Sequence, residues 1–189
     1  VKAPLRLIGL AGRKRSGKDT VGRLIDKLAT TPTDVTPLSF AGPMRDGIAV
    51  MFGIDMSDAQ ERETPVLLGV SRRHLMQTLG TEWGRQLIHP DLWLHVLEQR
   101  MVDVFSDEDH GDVPLVIVTD VRMPNEAELI RRHGGQVWRV ERPGLAATDT
   151  HVSEVPLPDQ YVDLTVMNTG TLEDLEENVL AALRWAELA

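Results

Sequence analysis

Nine residues near the start of the chain, Gly12-Arg13-Lys14-Arg15-Ser16-Gly17-Lys18-Asp19-Thr20, have the types and spacing of a loop that wraps an anion. Gly12 and Gly17 fit the pattern G-x-x-x-x-G-K, in which backbone turns sharply and presents N–H groups to phosphate oxygens. Lys18 then reaches the β- and γ-phosphates of a nucleoside triphosphate, and the helix that follows adds the partial positive charge of its N-terminus. One position departs from the strict pattern. Asp19 follows the lysine, and the hydroxyl expected on Mg²⁺ comes one place later, at Thr20.

Asp120 stands at the end of the apolar run Leu115-Val116-Ile117-Val118, which reads as a strand buried on both faces. Ligands of open α/β sheets gather at such C-terminal strand ends, so Asp120 is a candidate site residue. The structural alternative is that it caps the helix beginning at Pro124 or pairs with Arg122. Only four of the 20 basic residues are lysines (Lys2, Lys14, Lys18 and Lys27). The remainder are arginines, the better fork for phosphate and carboxylate oxygens, although GC-rich codon usage produces the same bias.

These residues need a scaffold of alternating strands and helices. Strands are expected at Leu5 to Leu10, Val116 to Thr119, Gln136 to Val140 and Leu164 to Met167, with a weaker one near Leu38 to Phe40. Helices are expected over residues 18–29, 124–133 and 171–188, each following a strand as βα units require. The first carries Val21, Leu24, Ile25 and Leu28 on one face; the last opens on Thr171 with Glu173 and Asp174 in its first turn. Residues 42–112 read as a largely helical insertion without a convincing strand, ending in a solvated acidic loop at 106–112. Trp138 and Trp185 are assigned to the core, and Arg72, Arg131 and Arg132 to solvated helix faces.

Composition removes whole classes of function. With 189 residues and 42% hydrophobic content, the chain builds one domain of ordinary size and is neither disordered nor collagenous. The absence of cysteine excludes disulfides, thiolate metal sites and a cysteine nucleophile, and is compatible with a reducing cytoplasm. Its six histidines show no metal-ligand spacing. A formal net charge of −9 argues against a nucleic-acid polymer as partner. No segment has the roughly 20 apolar residues of a membrane helix, and the N-terminus lacks signal-peptide character because Leu5 to Ala11 runs into Arg13-Lys14-Arg15.

Gly-Lys-x-Thr with the displaced hydroxyl resembles nucleoside monophosphate kinases of the adenylate kinase type. The loop as a whole is more closely similar to that of phage deoxynucleoside monophosphate kinases. Further segments agree in order: Leu38 to Arg45, Leu79-Gly80-Thr81-Glu82-Trp83-Gly84-Arg85, Pro90-Asp91-Leu92-Trp93, Thr119 to Glu126, Thr150 to Glu154, and Asn168 to Leu172. The resemblance spans nearly the whole chain. It implies an α/β, three-layer P-loop fold with a five-stranded parallel sheet. The core would be 1–41, 113–142 and 159–189, the helical monophosphate-binding insertion 42–112 and the short lid 143–158.

The same resemblance implies transfer of the γ-phosphoryl of ATP to a deoxynucleoside monophosphate with Mg²⁺, in the cytoplasm, of the host if the chain is phage-encoded. Lys18, Arg85, Asp120, Arg122 and Arg142 would be catalytic, with Thr20 and Asp120 serving the metal, in part through water. Gly12, Arg13, Arg15, Ser16, Gly17, Lys18, Asp19 and Thr20 would bind ATP, joined by Asn168, Gly170 and Thr171 beside the adenine. Arg45, Arg73, Gln77, Arg85, Trp93, Arg122, Arg142 and Glu154 would bind the acceptor, with Trp83 a second candidate for stacking on its base. His151 is a weaker candidate for a phosphate contact. The partners would be these small molecules, with no membrane, and a homodimer is permitted. The rival enzyme is another small-acceptor kinase such as dephospho-coenzyme A kinase; the rival class is a nucleotide-binding switch. The latter lacks an Asn-Lys-x-Asp signature and gives the arginine-rich insertion no purpose.

Overall fold

The structure is a computed structural model, described here for residues 6–30, 34–57, 62–106, 114–145 and 156–188. It divides into two compact units, one made of residues 1–38 and 101–189 and the other of residues 39–100.

The first unit is built on five parallel strands: β1 (Arg6–Ala11), β2 (Val35–Leu38), β5 (Leu115–Val121), β6 (Gln136–Glu141) and β7 (Leu164–Met167), in the order β2-β5-β1-β6-β7. The two central partners, β5 and β1, pair from Arg6 with Leu115 to Ala11 with Val121. On one face α1 (Lys18–Leu28) and α6 (Leu172–Trp185) pack their apolar stripes, Val21, Leu24, Ile25, Leu175, Val179 and Leu183, against Ile8, Leu10, Ile117, Trp138, Val140 and Val166. On the other face α5 (Pro124–Arg132) seats Ile130 so closely over β1 that a Cβ on Gly9 would lie 3.1 Å from its Cγ1. The sheet is therefore the middle of three layers, and its strands are apolar on both sides.

Strand and helix positions agree with the sequence pattern to within a few residues except at β2, which lies at Val35–Leu38, ahead of the expected Leu38 to Phe40. Pro37 disguises it. A proline cannot donate to a ladder, and it is tolerated because β2 is an edge strand. Trp138 is fully buried as expected, whereas Trp185, also expected in the core, is 57% exposed at the last turn of α6. Arg131 is more than a solvated charge: its guanidinium forks onto both carboxylate oxygens of Asp163, at 2.7 and 3.3 Å. Asp163 in turn accepts from the backbone N–H of Val137, tying α5 to the start of β7.

The second unit begins with α2 (Gly42–Phe52), which has Pro43 in its first turn and stops at Gly53, φ 65°. Residues 65–71 then form a hairpin that the sequence does not announce, β3 (Pro65–Leu67) and β4 (Val70–Ser71), turning on Leu68 and Gly69, both at positive φ. Strands of three and two residues are too short to show alternation. Ser71 caps α3 (Arg72–Gln77) by accepting from the His74 N–H, and that helix runs into a wide π-helical stretch, Thr78–Ile88. Here His89 N–H bonds Gly84 O, the i to i−5 spacing of a π-turn. From Leu92 to Ser106 runs α4, whose residues 101–106 belong to the first unit. Among the described residues no helix is long and apolar enough to cross a membrane.

Candidate phosphoryl-transfer site

Between β1 and α1 the chain makes the sharp turn that the two glycines forecast. Gly12 has φ 142° and Gly17 has φ 102°, and Arg15 between them also adopts a left-handed conformation at φ 65°. The turn is closed by Ser16 N–H to Arg13 O at 3.1 Å, and by Lys18, whose ammonium donates to Gly12 O at 2.7 Å and Arg13 O at 2.9 Å. Gly12 has no room for a side chain: a Cβ there would lie 2.5 Å from Val140 O. Gly17 is the N-cap of α1 and supplies no side-chain cap, so the first N–H groups of that helix are held by no capping side chain. Ser16 is 1% exposed and its hydroxyl is buried without a hydrogen-bond partner. A glycine cradle, an orphaned hydroxyl and an uncapped helix start are what a phosphate chain satisfies together.

Beside this loop lies a cavity of about 320 Å³ lined by Gly12, Arg13, Ser16, Val121 and Arg122, by residues 139–145, and by Pro156 and Leu157. Arg13, Arg122, Arg139 and Arg142 all reach its wall, with Glu141 the only acid there among the described residues. The four come from four places: the glycine loop, the turn after β5, the end of β6 and the segment just past it. Arg139 was not among the residues the sequence singled out. It pairs in register with Ala11, and its guanidinium donates to Leu157 O and to the Asp159 carboxylate. Arg13 donates to Leu145 O at 3.2 Å. A smaller cavity of about 260 Å³ is lined by Arg142, Pro143, Asn168, Thr169 and Gly170.

Asp120 sits near the end of β5, half-buried, one strand away from the glycine loop. The cap of α5 is supplied by Glu126, 2% exposed, whose Oε2 accepts from the N–H groups of Arg122 and Met123 at 2.7 and 3.0 Å. This carboxylate holds the turn that carries Arg122. Thr20 lies in the first turn of α1 and accepts from Arg23 at 3.5 Å.

In the second unit Arg45 donates to Ser39 Oγ at 3.0 Å, Arg73 pairs with Glu63 at 2.6 Å, and Arg85, in the π-helical stretch, donates to Pro90 O at 3.4 Å. Gln77 closes α3, half-buried. Arg72, expected to be solvated, donates to Asp55 O at 2.7 Å.

The family model for deoxynucleotide monophosphate kinase matches residues 69–179, more than half of the chain. The chain belongs to the deoxynucleotide monophosphate kinase family. Within that family it is 31% identical over 94% of its length to a putative deoxynucleotide monophosphate kinase of Acanthamoeba polyphaga mimivirus, of which it covers 95%. It is 36% identical over 60% of its length to the deoxynucleotide monophosphate kinase of Escherichia phage RB69, and it spans less than half of that longer protein, 45%. In fold it is similar to a sugar kinase from Janibacter sp. HTCC2649, with a TM-score of 0.50 at 15% identity over 98% of this chain and 96% of that one.

For this member of the kinase family the structure rearranges part of the expected site. Trp93, expected against the acceptor base, is 7% exposed, and its indole N–H donates to Gly80 O at 2.8 Å. Gly84 is kept bare by it, since a Cβ there would lie 2.6 Å from Trp93 Nε1. Trp93 is therefore a packing residue, and Trp83 is the more exposed indole of this unit, at 44%. Thr171 is the N-cap of α6, exchanging hydrogen bonds with Asp174, and does not line the small cavity that Asn168 and Gly170 line. Asn168 instead turns its amide onto the glycine loop, Nδ2 to Ser16 O at 2.8 Å. His151, Glu154, most of the expected lid and all but the first residue of the 106–112 acidic loop lie outside the described residues.

Proposed function

We propose that this chain transfers the γ-phosphoryl group of ATP to the phosphate of a deoxynucleoside monophosphate, giving ADP and a deoxynucleoside diphosphate. The observation that carries the reading is the meeting of the glycine loop with Arg13, Arg122, Arg139 and Arg142 on one cavity at the C-terminal edge of a parallel sheet. An oxygen of the acceptor phosphate forms the new bond to the γ-phosphorus as the bond to the β–γ bridging oxygen breaks, and that bridging oxygen leaves with ADP. Little covalent assistance is needed. The demand is for positioning and for positive charge around the transferring group, which arginines supply without proton exchange.

In this reading Lys18 and the N–H groups of residues 13–20 hold the β- and γ-phosphates, with Arg15 and Asp19 flanking the loop and Gly170 beside the adenine. Arg122 and Arg142 bridge donor and acceptor. Arg45, Arg73, Gln77 and Arg85 of segment 42–112 receive the monophosphate, and Thr171 acts through the α6 cap. Mg²⁺ ordinarily takes one or two protein oxygens plus phosphates and water, and a hydroxyl in the first turn of α1 and a carboxylate near the end of β5 are oxygens of that kind. Thr20 and Asp120 are those oxygens. When bound, the ion neutralises charge on the phosphates. ATP and the monophosphate are free nucleotides, consistent with a cytoplasmic enzyme, and a homodimer remains permitted.

The test is a panel of deoxynucleoside monophosphates with ATP and Mg²⁺, run beside Lys18→Ala. We expect phosphorylation of at least one deoxynucleotide and loss of turnover in the variant, with its circular dichroism unchanged, because Lys18 grips phosphate and belongs to no core. Wild-type turnover in Lys18→Ala would sink the assignment.

A further inference from the structure

Asn168 follows β7 directly, and its place is set by the sheet, because its N–H donates to Glu141 O at 2.8 Å. From that fixed point its side-chain amide crosses to the glycine loop and donates to Ser16 O, also at 2.8 Å. It also packs against Gly17, where a Cβ would stand 2.5 Å from Nδ2. The group it holds is the peptide plane between Ser16 and Gly17. In a trans peptide C=O and N–H point opposite ways, so a carbonyl pinned toward Asn168 aims the Gly17 N–H away from it. A half-turn of that plane would carry φ of Gly17 from 102° to about −80°, a region as open to glycine as the first. Glycine itself therefore offers no resistance to the flip, and the flipped plane would offer an anion a carbonyl oxygen in place of a donor.

We propose that Asn168 is a positioning residue for the phosphate loop, locking the Ser16–Gly17 peptide so that the Gly17 N–H is presented to the phosphates of the bound nucleotide. A second observation points to the same ligand: the neighbouring Ser16 hydroxyl is buried and unpartnered at the same peptide. The inference rests on the reading of Gly12–Lys18 as a nucleotide loop and assigns Asn168 to the phosphates instead of the base.

The two roles separate in binding experiments on the full chain by calorimetry, using inorganic tripolyphosphate, ATP and GTP. With Asn168→Ala, tripolyphosphate and ATP should weaken by a common factor, roughly ten- to a hundredfold for one anion-directed hydrogen bond, and the ratio of ATP to GTP affinity should stay at its wild-type value. Asn168→Asp, which keeps the shape and replaces the donor by a charge that repels Ser16 O, should be weaker still. The Gly17 amide resonance should move on adding tripolyphosphate to the wild type and not in either variant. Wild-type tripolyphosphate affinity with an altered ATP to GTP ratio would make Asn168 a base contact and overturn the proposal. Loss of the thermal transition in both variants would overturn it too, by making the residue part of the scaffold. A wild type that binds neither tripolyphosphate nor ATP would instead remove the nucleotide-loop reading on which the proposal stands.

Discussion

Gly12 and Trp93 show how differently single residues carry the site. At Gly12 the backbone passes so close to Val140 O that any side chain must move either the loop or β6, and φ 142° is closed to other residues in any case. Gly12→Ala should therefore lose more than about tenfold in ATP affinity with helix content retained, measured by calorimetry beside far-UV circular dichroism. Trp93 was expected to touch a base, and its exposure and its bond to Gly80 O argue for the interior. Trp93→Phe leaves that buried carbonyl without its donor and should cost about 1–3 kcal/mol in urea unfolding. A stacking role would instead raise the KM for the monophosphate at unchanged stability.

Helix ends supply the next level of organisation, and two of them are capped by carboxylates. At α6, hydrogen bonds from the Thr171 backbone N–H and hydroxyl hold the Asp174 carboxyl below the ordinary aspartate range. A depressed folded-state value means that the charged cap stabilises the fold at pH values above the unfolded one and loses that contribution as pH falls through the folded one. Asp174→Asn should lower Tm relative to wild type at pH 7, and the gap should close as both are titrated below about pH 4. A gap that persists unchanged at pH 2 would mean that charge is not what the cap uses. The Thr171 and Asp174 signals were legible because a capping box is written within four consecutive residues. At α5 the cap is Glu126, at the third helical position, and not Asp120, for which capping was the structural alternative; the Met123 that precedes this helix offers no polar cap for a sequence pattern to show. Short elements escaped for another reason. The β3–β4 hairpin and the Pro37-bearing β2 owe their pairing to partners that lie elsewhere in the chain or across a tight turn, and they carry almost no periodicity of their own.

For the molecule as a whole, a net charge of −9 coexists with four arginines around a single cavity. Small polyanions that fit the cavity should bind, and extended ones should meet a repelling surface. Duplex DNA at roughly physiological salt should leave the transfer rate unchanged, while tripolyphosphate inhibits competitively with ATP. Inhibition by DNA at that salt would show that the basic residues form an open stripe. What is written in contiguous residues was readable from the chain alone: the turning glycines, the alternation of buried strands with amphipathic helices, and the ordered segments that resemble the family. Each depends only on near neighbours and on backbone geometry. Which arginines share a cavity, which tryptophan is buried and where Asn168 points were decided by the fold, because strand order brings together groups far apart in sequence. Ala11 meets Arg139 only because β1 lies beside β6, and Asn168 reaches Ser16, 152 residues away, only because β7 closes the sheet on the far side of β6.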